Sequence, residues 1–429
     1  MIRDHMSWSR ALAATLILGA STVAQAQLAN ASTAATGLGG AYTARAQGYN
    51  AVAWNPANLA MPGNQGFSLT LLAVDGNAGI KPIDFNKLAT YSGDTIPNSV
   101  REQWMLDVEQ EGGQKGALGG GVTGLALSLG SFGFQFNTKV AGDMHLSPGA
   151  VEALLFGNVG RTGTIRALDI AGSSFQSGVY STGAISYGMR LPAVALADFA
   201  IGATAKYTVG HALVIGVDNG SSIGTSDLNL TFPMIYPDSN SIESGNLGSG
   251  FGLDLGAAWT IPGFRFGVSL QNVVNTFKWD TTKFATRSAL GAFSSDTNYF
   301  DTDSTDMPYG TAPAALREQI GELKFKPVIA GGVSFNWLPR ITVSADIRQQ
   351  FGEGIEVGPQ SMIGAGAELR LIPFIPLRGG VQMMSGGFGV SGGFGINLLG
   401  FEAGLAGYVR KRDGGSESGF TLNAIAIRP

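Results

Sequence analysis

Gly119-x-Gly121-x-x-Gly124 has the glycine spacing of a dinucleotide loop, in which bare backbone closes on a pyrophosphate. That chemistry requires a helix after the glycines, and here they open a strand-like stretch with no helical period behind it. Asp301, Asp303 and Asp306 gather carboxylates in one loop, without the spacing of a dedicated calcium site. His145 and His211 have no nucleophile motif near them. The chain contains 0 cysteines, which excludes thiolate metal sites and disulfides. The sequence reads as a non-enzyme with no cofactor and no metal.

The other side chains that could do chemistry are charges set into apolar alternation. Phe251, Leu253, Leu255, Ala257 and Trp259 fall on one face of a strand, and Gly252, Asp254, Gly256 and Ala258 on the other. Ile341, Val343, Ala345 and Ile347 alternate in the same way with Thr342, Ser344, Asp346 and Arg348, and Phe132, Phe134 and Phe136 with Gly133, Gln135 and Asn137. Ile363 through Leu371 alternate with Gly364, Gly366, Glu368 and Arg370. The charges on the polar faces are Lys139, Lys206, Asp254, Arg265, Asp346, Arg348, Glu368, Arg370, Arg378, Glu402 and Arg410. Both signs occur over many strands, as ion pairs filling an interior require. The alternative is a polar track for a charged headgroup, with Lys206, Asp254, Arg265, Arg348, Glu368 and Arg370 as its candidates.

These charges need a frame, and the first clue to it is export. Residues 1–26 read as a signal peptide, with Arg3 and Arg10, an apolar core at 11–20 and a small-x-small site at Ala24-Gln25-Ala26. Removing Arg3, Arg10 and Asp4 takes the 27 basic and 31 acidic residues to 25 and 30, an acidic balance that argues against a nucleic-acid partner. No later apolar run approaches the length of a membrane-spanning helix. An exported chain with 64 glycines and 14% charged residues fits an all-β fold, a transmembrane antiparallel β-barrel.

Strands are expected near 67–75, 118–129, 131–141, 176–190, 197–211, 248–261, 263–277, 325–338, 340–350, 360–372, 376–384, 387–397, 400–411 and 417–428, about fourteen in all. Every second connection is tight, at Gly130, 192–196, Pro262, Pro339, 373–375 and Leu398-Leu399. The others are long at 76–117, 142–175, 212–247 and 278–324, then shorten. Tight turns mark a periplasmic rim and long loops an extracellular one, with both termini at the periplasmic side. The expected domains are a signal peptide (1–26), a hatch or plug in the lumen (27–66) and the barrel (67–429), placed in the outer membrane of a diderm bacterium.

The segment at 36–60, TGLGGAYTARAQGYNAVAWNPANLA, is too glycine-rich and too short to be a domain. Its glycines permit close backbone approach inside a lumen, and Pro56 holds Asn55 toward an extended conformation at the joint with the wall. Asn-Pro is also an ordinary turn signal. The segment resembles the N-terminal hatch of the long-chain fatty-acid transporter (FadL) superfamily, through Gly37, Gly39, Gly40, Ala41 and Tyr42, then Asn55, Pro56 and Ala57. Leu155-Phe156-Gly157-Asn158, Tyr187-Gly188, Ala205-Lys206-Tyr207, Leu253-Asp254-Leu255-Gly256, Gln271-Asn272-Val273 and Lys278-Trp279 look more like an uncharacterised branch of that superfamily, which also resembles PorV-type proteins. The C-terminus, 424–429, departs from the terminal aromatic of barrel-assembly signals.

Short helices are expected in the long loops. Ser99-x-x-Glu102 reads as a capping box with Val100, Trp104 and Val108 on one face, and Ser147-Pro148 as a cap before Val151, Leu154, Leu155 and Phe156. A third follows Pro313 at Ala314–Glu322. The resemblance implies that such loops gather a hydrophobic ligand, with Trp104, Leu154, Leu155 and Phe156 as candidates; closing the barrel mouth is the other role for the same faces. It implies passage of a fatty acid or lipid-like molecule, with outer-membrane lipid around the barrel. The PorV likeness implies instead a scaffold for secreted or surface-attached protein partners.

Overall fold

The computed structural model describes residues 31–157, 160–164, 167–194, 197–224, 228–293, 298–302, 306–352, 360–412 and 415–427. The signal peptide, Asn158, Leu196, Asp303 and the last two residues lie outside them.

Period-two alternation produces fourteen long antiparallel strands. The first seven are β1 (Phe67–Lys81), β2 (Gln114–Leu129), β3 (Phe132–Leu146), β4 (Ser174–Val194), β5 (Ala197–Val217), β6 (Gly248–Ile261) and β7 (Phe264–Asn275). The second seven are β8 (Val328–Leu338), β9 (Ile341–Gln350), β10 (Ser361–Ile372), β11 (Ile375–Met384), β12 (Gly387–Leu398), β13 (Phe401–Arg412) and β14 (Gly415–Ile427). Each pairs with the next, and β1 pairs with β14 from Leu69↔Ile427 to Ile80↔Ser416, closing the barrel. Every strand expected from alternation is present. Several run further toward the long-loop end than expected, β1 to Lys81 and β5 to Val217, because the ladder continues where the alternation in the sequence weakens.

The outer face carries the large apolar side chains. Phe132, Phe134, Phe136, Ile185, Tyr187, Ile363, Val390 and Phe401 are all exposed, as a lipid-facing band requires. Aromatic pairs stand at both of its edges. Phe132 and Tyr187 lie 4.8 Å apart and Phe264 and Phe335 5.6 Å apart near the tight turns, with Tyr207 and Phe251 4.9 Å apart toward the long loops. Among the described residues no helix is long and apolar enough to cross a membrane; the strands cross it.

Strand β3 pairs without a break with β4, from Phe132↔Tyr187 to His145↔Ser174, so the wall is closed along that seam. The largest interruption is between β6 and β7. There the register passes from Leu270↔Leu255 to Val274↔Leu253, leaving Gln271, Asn272 and Val273 opposite Asp254. Asn272 takes a left-handed backbone (φ 56) at this bulge.

The long-loop end holds structure that alternation did not reveal. Leu228–Pro237 pairs with Phe284–Phe293 as a ribbon above the rim, joined to β5 at Ile215↔Ile235. Helix Asn98–Gln110 begins without a side-chain cap at Pro97, so the expected capping box at Ser99 is not formed; Ser147 does cap Pro148–Phe156, its hydroxyl accepting from Ala150 N.

Inside the short-turn half lies the N-terminal segment, from helix Thr33–Gly37 to the 3-10 turn Pro56–Ala60. Inward-facing glycines of the wall make room for it. A Cβ at Gly202, Gly256, Gly267, Gly364, Gly366 or Gly380 would come closer than 3.0 Å to Leu38, Gly39, Thr43, Asn55, Pro56 or Ala57. Filling one of these positions overpacks the interface at about 1–3 kcal/mol. We therefore expect Gly366→Leu to increase leakage of a small sugar in a liposome-swelling assay. Gly379→Leu, one residue from Gly380 but with open space around it, should leave leakage unchanged; equal leakage through both variants would contradict the fit.

Candidate functional site

The lumen is occupied in three tiers. Uppermost, at the long-loop end, Tyr180, Leu213, Ile215, Ile235, Leu247, Phe277, Trp279, Phe284, Leu316, Ile320 and Phe325 form an apolar cluster. Its rings meet edge to face, Tyr180 with Phe325 at 4.9 Å and Phe277 with Trp279 at 5.2 Å, the geometry that aromatic quadrupoles favour. Helix Ala314–Glu322 contributes Leu316 and Ile320 and roofs the barrel. Of this cluster only Trp279 and the helix stand out in the sequence, because it gathers residues from separate elements, Tyr180 of β4, Leu213 of β5, Phe277 and Phe325, that no local pattern links.

Below it the wall charges are paired. Lys206 Nζ lies 2.6 Å from Asp254 Oδ1 and donates to Asn272 Oδ1 at 2.6 Å, while Asn272 N donates to Asp254 at 2.7 Å. This buried knot ties the bulge on β7 to β5 and β6. Lys139 pairs with Asp75 at 3.1 Å and Arg410 with Glu417 at 3.2 Å. Of the charges expected to face inward, Lys206, Asp254 and Glu368 are fully buried, Arg265 and Arg348 half-buried, and Arg370 remains 46% exposed in its side chain. Lys139, Lys206, Asp254, Glu368, Arg370, Arg378 and Arg410 are in ion pairs; Arg265 meets a neutral partner.

The third tier is the N-terminal segment, which touches the wall around most of its circumference. Thr36 Oγ1 is 2.7 Å from Thr421 Oγ1 on β14, and Ser391 on β12 donates to Gly37 O. Gly39 and Gly40 adopt left-handed φ values of 66 and 81°, turning the chain beside β10 and β11. Tyr42 N and Thr43 N both donate to Asp346 Oδ2 on β9, at 3.1 and 2.7 Å. Tyr49 accepts from Asn423 on β14, and Gln271 on β7 donates to Ala53 O.

Asn55 is fully buried and does two things at once. Its Oδ1 accepts from Ala57 N at 3.2 Å, capping the turn that Pro56 begins, and its Nδ2 donates to Ala257 O of β6 at 3.1 Å. Pro56 and Ala57 then lie against Gly202 of β5. The cavity between this segment and the wall, lined by Thr43, Ala53, Trp54, Gln271, Arg348 and Met362, is about 20 Å³. That is room for little more than one water molecule, so the segment packs closely against the wall here.

Three of the four apolar loop candidates are already engaged. Trp104 is buried against Tyr91 at 5.8 Å, and Leu155 and Phe156 pack in the same cluster with Met105, Val108 and Val151. Arg101 lies over the Phe156 ring at 5.1 Å and donates to Leu155 O. Leu154 is exposed. His145 bridges the carbonyls of Gly112 and Gly172, and His211 meets Gly245 O and Ser181 Oγ, so both histidines tie loops together. Asp306 bonds to Tyr236 and Arg287. The Tyr236 hydroxyl and then the Arg287 guanidinium hold its carboxyl below the usual carboxylate range.

The hydrogen bonds of Asn55 generate a test. Asn55→Ala removes the acceptor of the buried Ala57 N–H and the side-chain bond to Ala257 O, at about 1–3 kcal/mol. Amide exchange over residues 57–60 should then run roughly five- to 150-fold faster than in the wild type, since local opening sets the exchange rate. Asn55→Ser, which keeps a capping oxygen and loses the amide donor to Ala257, should fall between the two; unchanged exchange in Asn55→Ala would show that the bonds do not hold the segment.

No protein-family model matches the sequence. No curated protein matches it either. Solved structures do. The toluene transporter TbuX of Ralstonia pickettii is 15% identical with a TM-score of 0.50, over 94% of this chain and 99% of that one. The toluene transporter TodX of Pseudomonas putida and the monoaromatic hydrocarbon channel CymD are each 12% identical with TM-scores of 0.50, over 94% of this chain and 98% of theirs. The likeness covers most of the chain, and it gives this protein the fold of the FadL-type outer-membrane barrels.

Proposed function

We propose that this barrel passes a hydrophobic small molecule across the outer membrane, with the N-terminal segment as its hatch. The observation that carries this reading is the stacking of an apolar aromatic cluster at the extracellular mouth over a segment held in the lumen by hydrogen bonds. An apolar solute crosses a polar surface layer poorly, and an aromatic-lined mouth offers it a site with a favourable transfer free energy. Repacking of Phe277, Trp279 and Phe325 around such a ligand would make room for it. The solute then meets the closed tier, where a bundle of hydrogen bonds, each of modest net strength, can be exchanged for others. The barrels of like fold named as toluene transporters and as a monoaromatic hydrocarbon channel support a compact apolar solute; a fatty acid or lipid-like molecule belongs to the same class.

Native mass spectrometry of the protein purified from its own membrane tests the reading. A bound apolar small molecule is expected, and its yield should fall when Phe325 is replaced by Ala. A stoichiometric protein partner with no small molecule would overturn the proposal in favour of a scaffold. Deleting residues 27–60 should raise single-channel conductance in planar bilayers, and unchanged conductance would remove the hatch.

A further inference from the structure

At the short-turn end, under the N-terminal segment, a cavity of about 320 Å³ opens between the β6–β7 turn and β9–β10. Four arginines line it, Arg45 of the segment and Arg265, Arg370 and Arg378 of the wall, against one acid, Glu368. Glu368 accepts from three of them: Arg45 Nη2 at 2.9 Å, Arg370 Nε at 2.9 Å and Arg378 Nε at 2.8 Å. Arg265 donates only to a neutral carbonyl, Pro62 O, at 3.2 Å. One carboxylate neutralises one guanidinium, so the lining keeps a surplus of three positive charges. Two donors there are also unmet: Nη1 of Arg45 and Nη1 of Arg378 are buried with no hydrogen-bond partner in the protein, and the Arg378 side chain is 4% exposed. Buried guanidinium groups carry a large desolvation cost unless both charge and donors are matched.

We propose that this vestibule binds an anionic group, a carboxylate or a phosphate, presented by a single-chain amphiphile. A planar or tetrahedral oxyanion supplies the several acceptor lone pairs that arginine forks are shaped to meet. The tail is indicated by the other wall of the cavity. Ile261, Phe264 and Phe335 also line it and belong to the outward, lipid-facing set, so the cavity reaches over the rim from the lumen arginines to the membrane. An anion there bridges Arg45 on the segment to Arg265 on the wall, which couples occupancy of the rim to the position of the segment. The site goes beyond the passage of an apolar solute, since it selects charge.

The test is calorimetric titration of the full-length barrel in an uncharged maltoside detergent with hexyl phosphate and with inorganic phosphate. Hexyl phosphate is expected to bind one per barrel, about tenfold or more tighter than inorganic phosphate. Arg265→Gln and Arg370→Gln should each weaken it by about tenfold, the loss of one charge-assisted hydrogen bond. Arg265→Lys should restore part of the affinity. Arg190→Gln, at an exposed pair with Asp198 elsewhere on the rim, should not change it. Equal binding of the two phosphates would support the anion site with a free anion as its source. No binding of either, or binding indifferent to both glutamine variants while their unfolding temperatures match the wild type, overturns it. Binding is measured on the closed barrel, so that failure leaves the proposed passage of apolar solutes untested and intact.

Discussion

Closure of β1 on β14 is the constraint from which the rest of this structure follows. In a bilayer an open strand edge leaves a row of N–H and C=O groups with no water to meet them, each costing several kcal/mol. Pairing the first strand with the last removes that edge and fixes which face of every strand looks inward. The register tolerates one irregularity at this seam, around Leu72, without losing the ladder. Once the ring is closed, side-chain alternation sorts large apolar residues outward and leaves an interior that must be filled.

Below the apolar cluster, two of the three tiers that fill this interior differ in how they are held. The ion pairs of the middle tier, Lys206 with Asp254 and Lys139 with Asp75, lock wall to wall, and breaking a buried pair leaves a charge uncompensated. The N-terminal segment is held mostly through its backbone, which donates to the Asp346 carboxylate and accepts from Gln271 and Ser391, by fit against bare glycine backbone, and by the one ion pair of Arg45 with Glu368. Such bonds have equivalents elsewhere in a polar lumen. Wall-to-wall ion pairs thus hold the barrel in shape, while the segment is seated chiefly by backbone hydrogen bonds and close fit.

Much of this was legible in the sequence. The fourteen strands and the rhythm of tight and long connections follow from period two and from Pro and Gly at the turns, both local signals. The ribbon at Leu228–Pro237 and Phe284–Phe293 was missed because its strands are far apart in sequence and find each other only above a finished rim. Ser99 misled because a capping pattern is only as good as the backbone before it, and Pro97 sets that backbone here. The inward charges could be named as a set, but which carboxylate meets which cation is a matter of register between strands. Arg45 was overlooked since its role exists only through Glu368, more than three hundred residues away. The inward glycines at Gly364 and Gly366 were visible as an alternation, yet their purpose, to let another piece of backbone lie against the wall, appears only with that backbone in place.

The reach of the N-terminal segment bears on how the molecule is assembled. The residues at 33–40 lie against β10 to β14, and those at 55–60 against β4 to β6. The first part of the described chain thus rests on strands that follow it by more than three hundred residues, contacts of a separation that slows folding. A segment seated on both the early and the late strands takes up all its contacts only in the closed ring, where β14 lies beside β1. Its packing therefore belongs to the finished barrel as a whole and to no single hairpin of it.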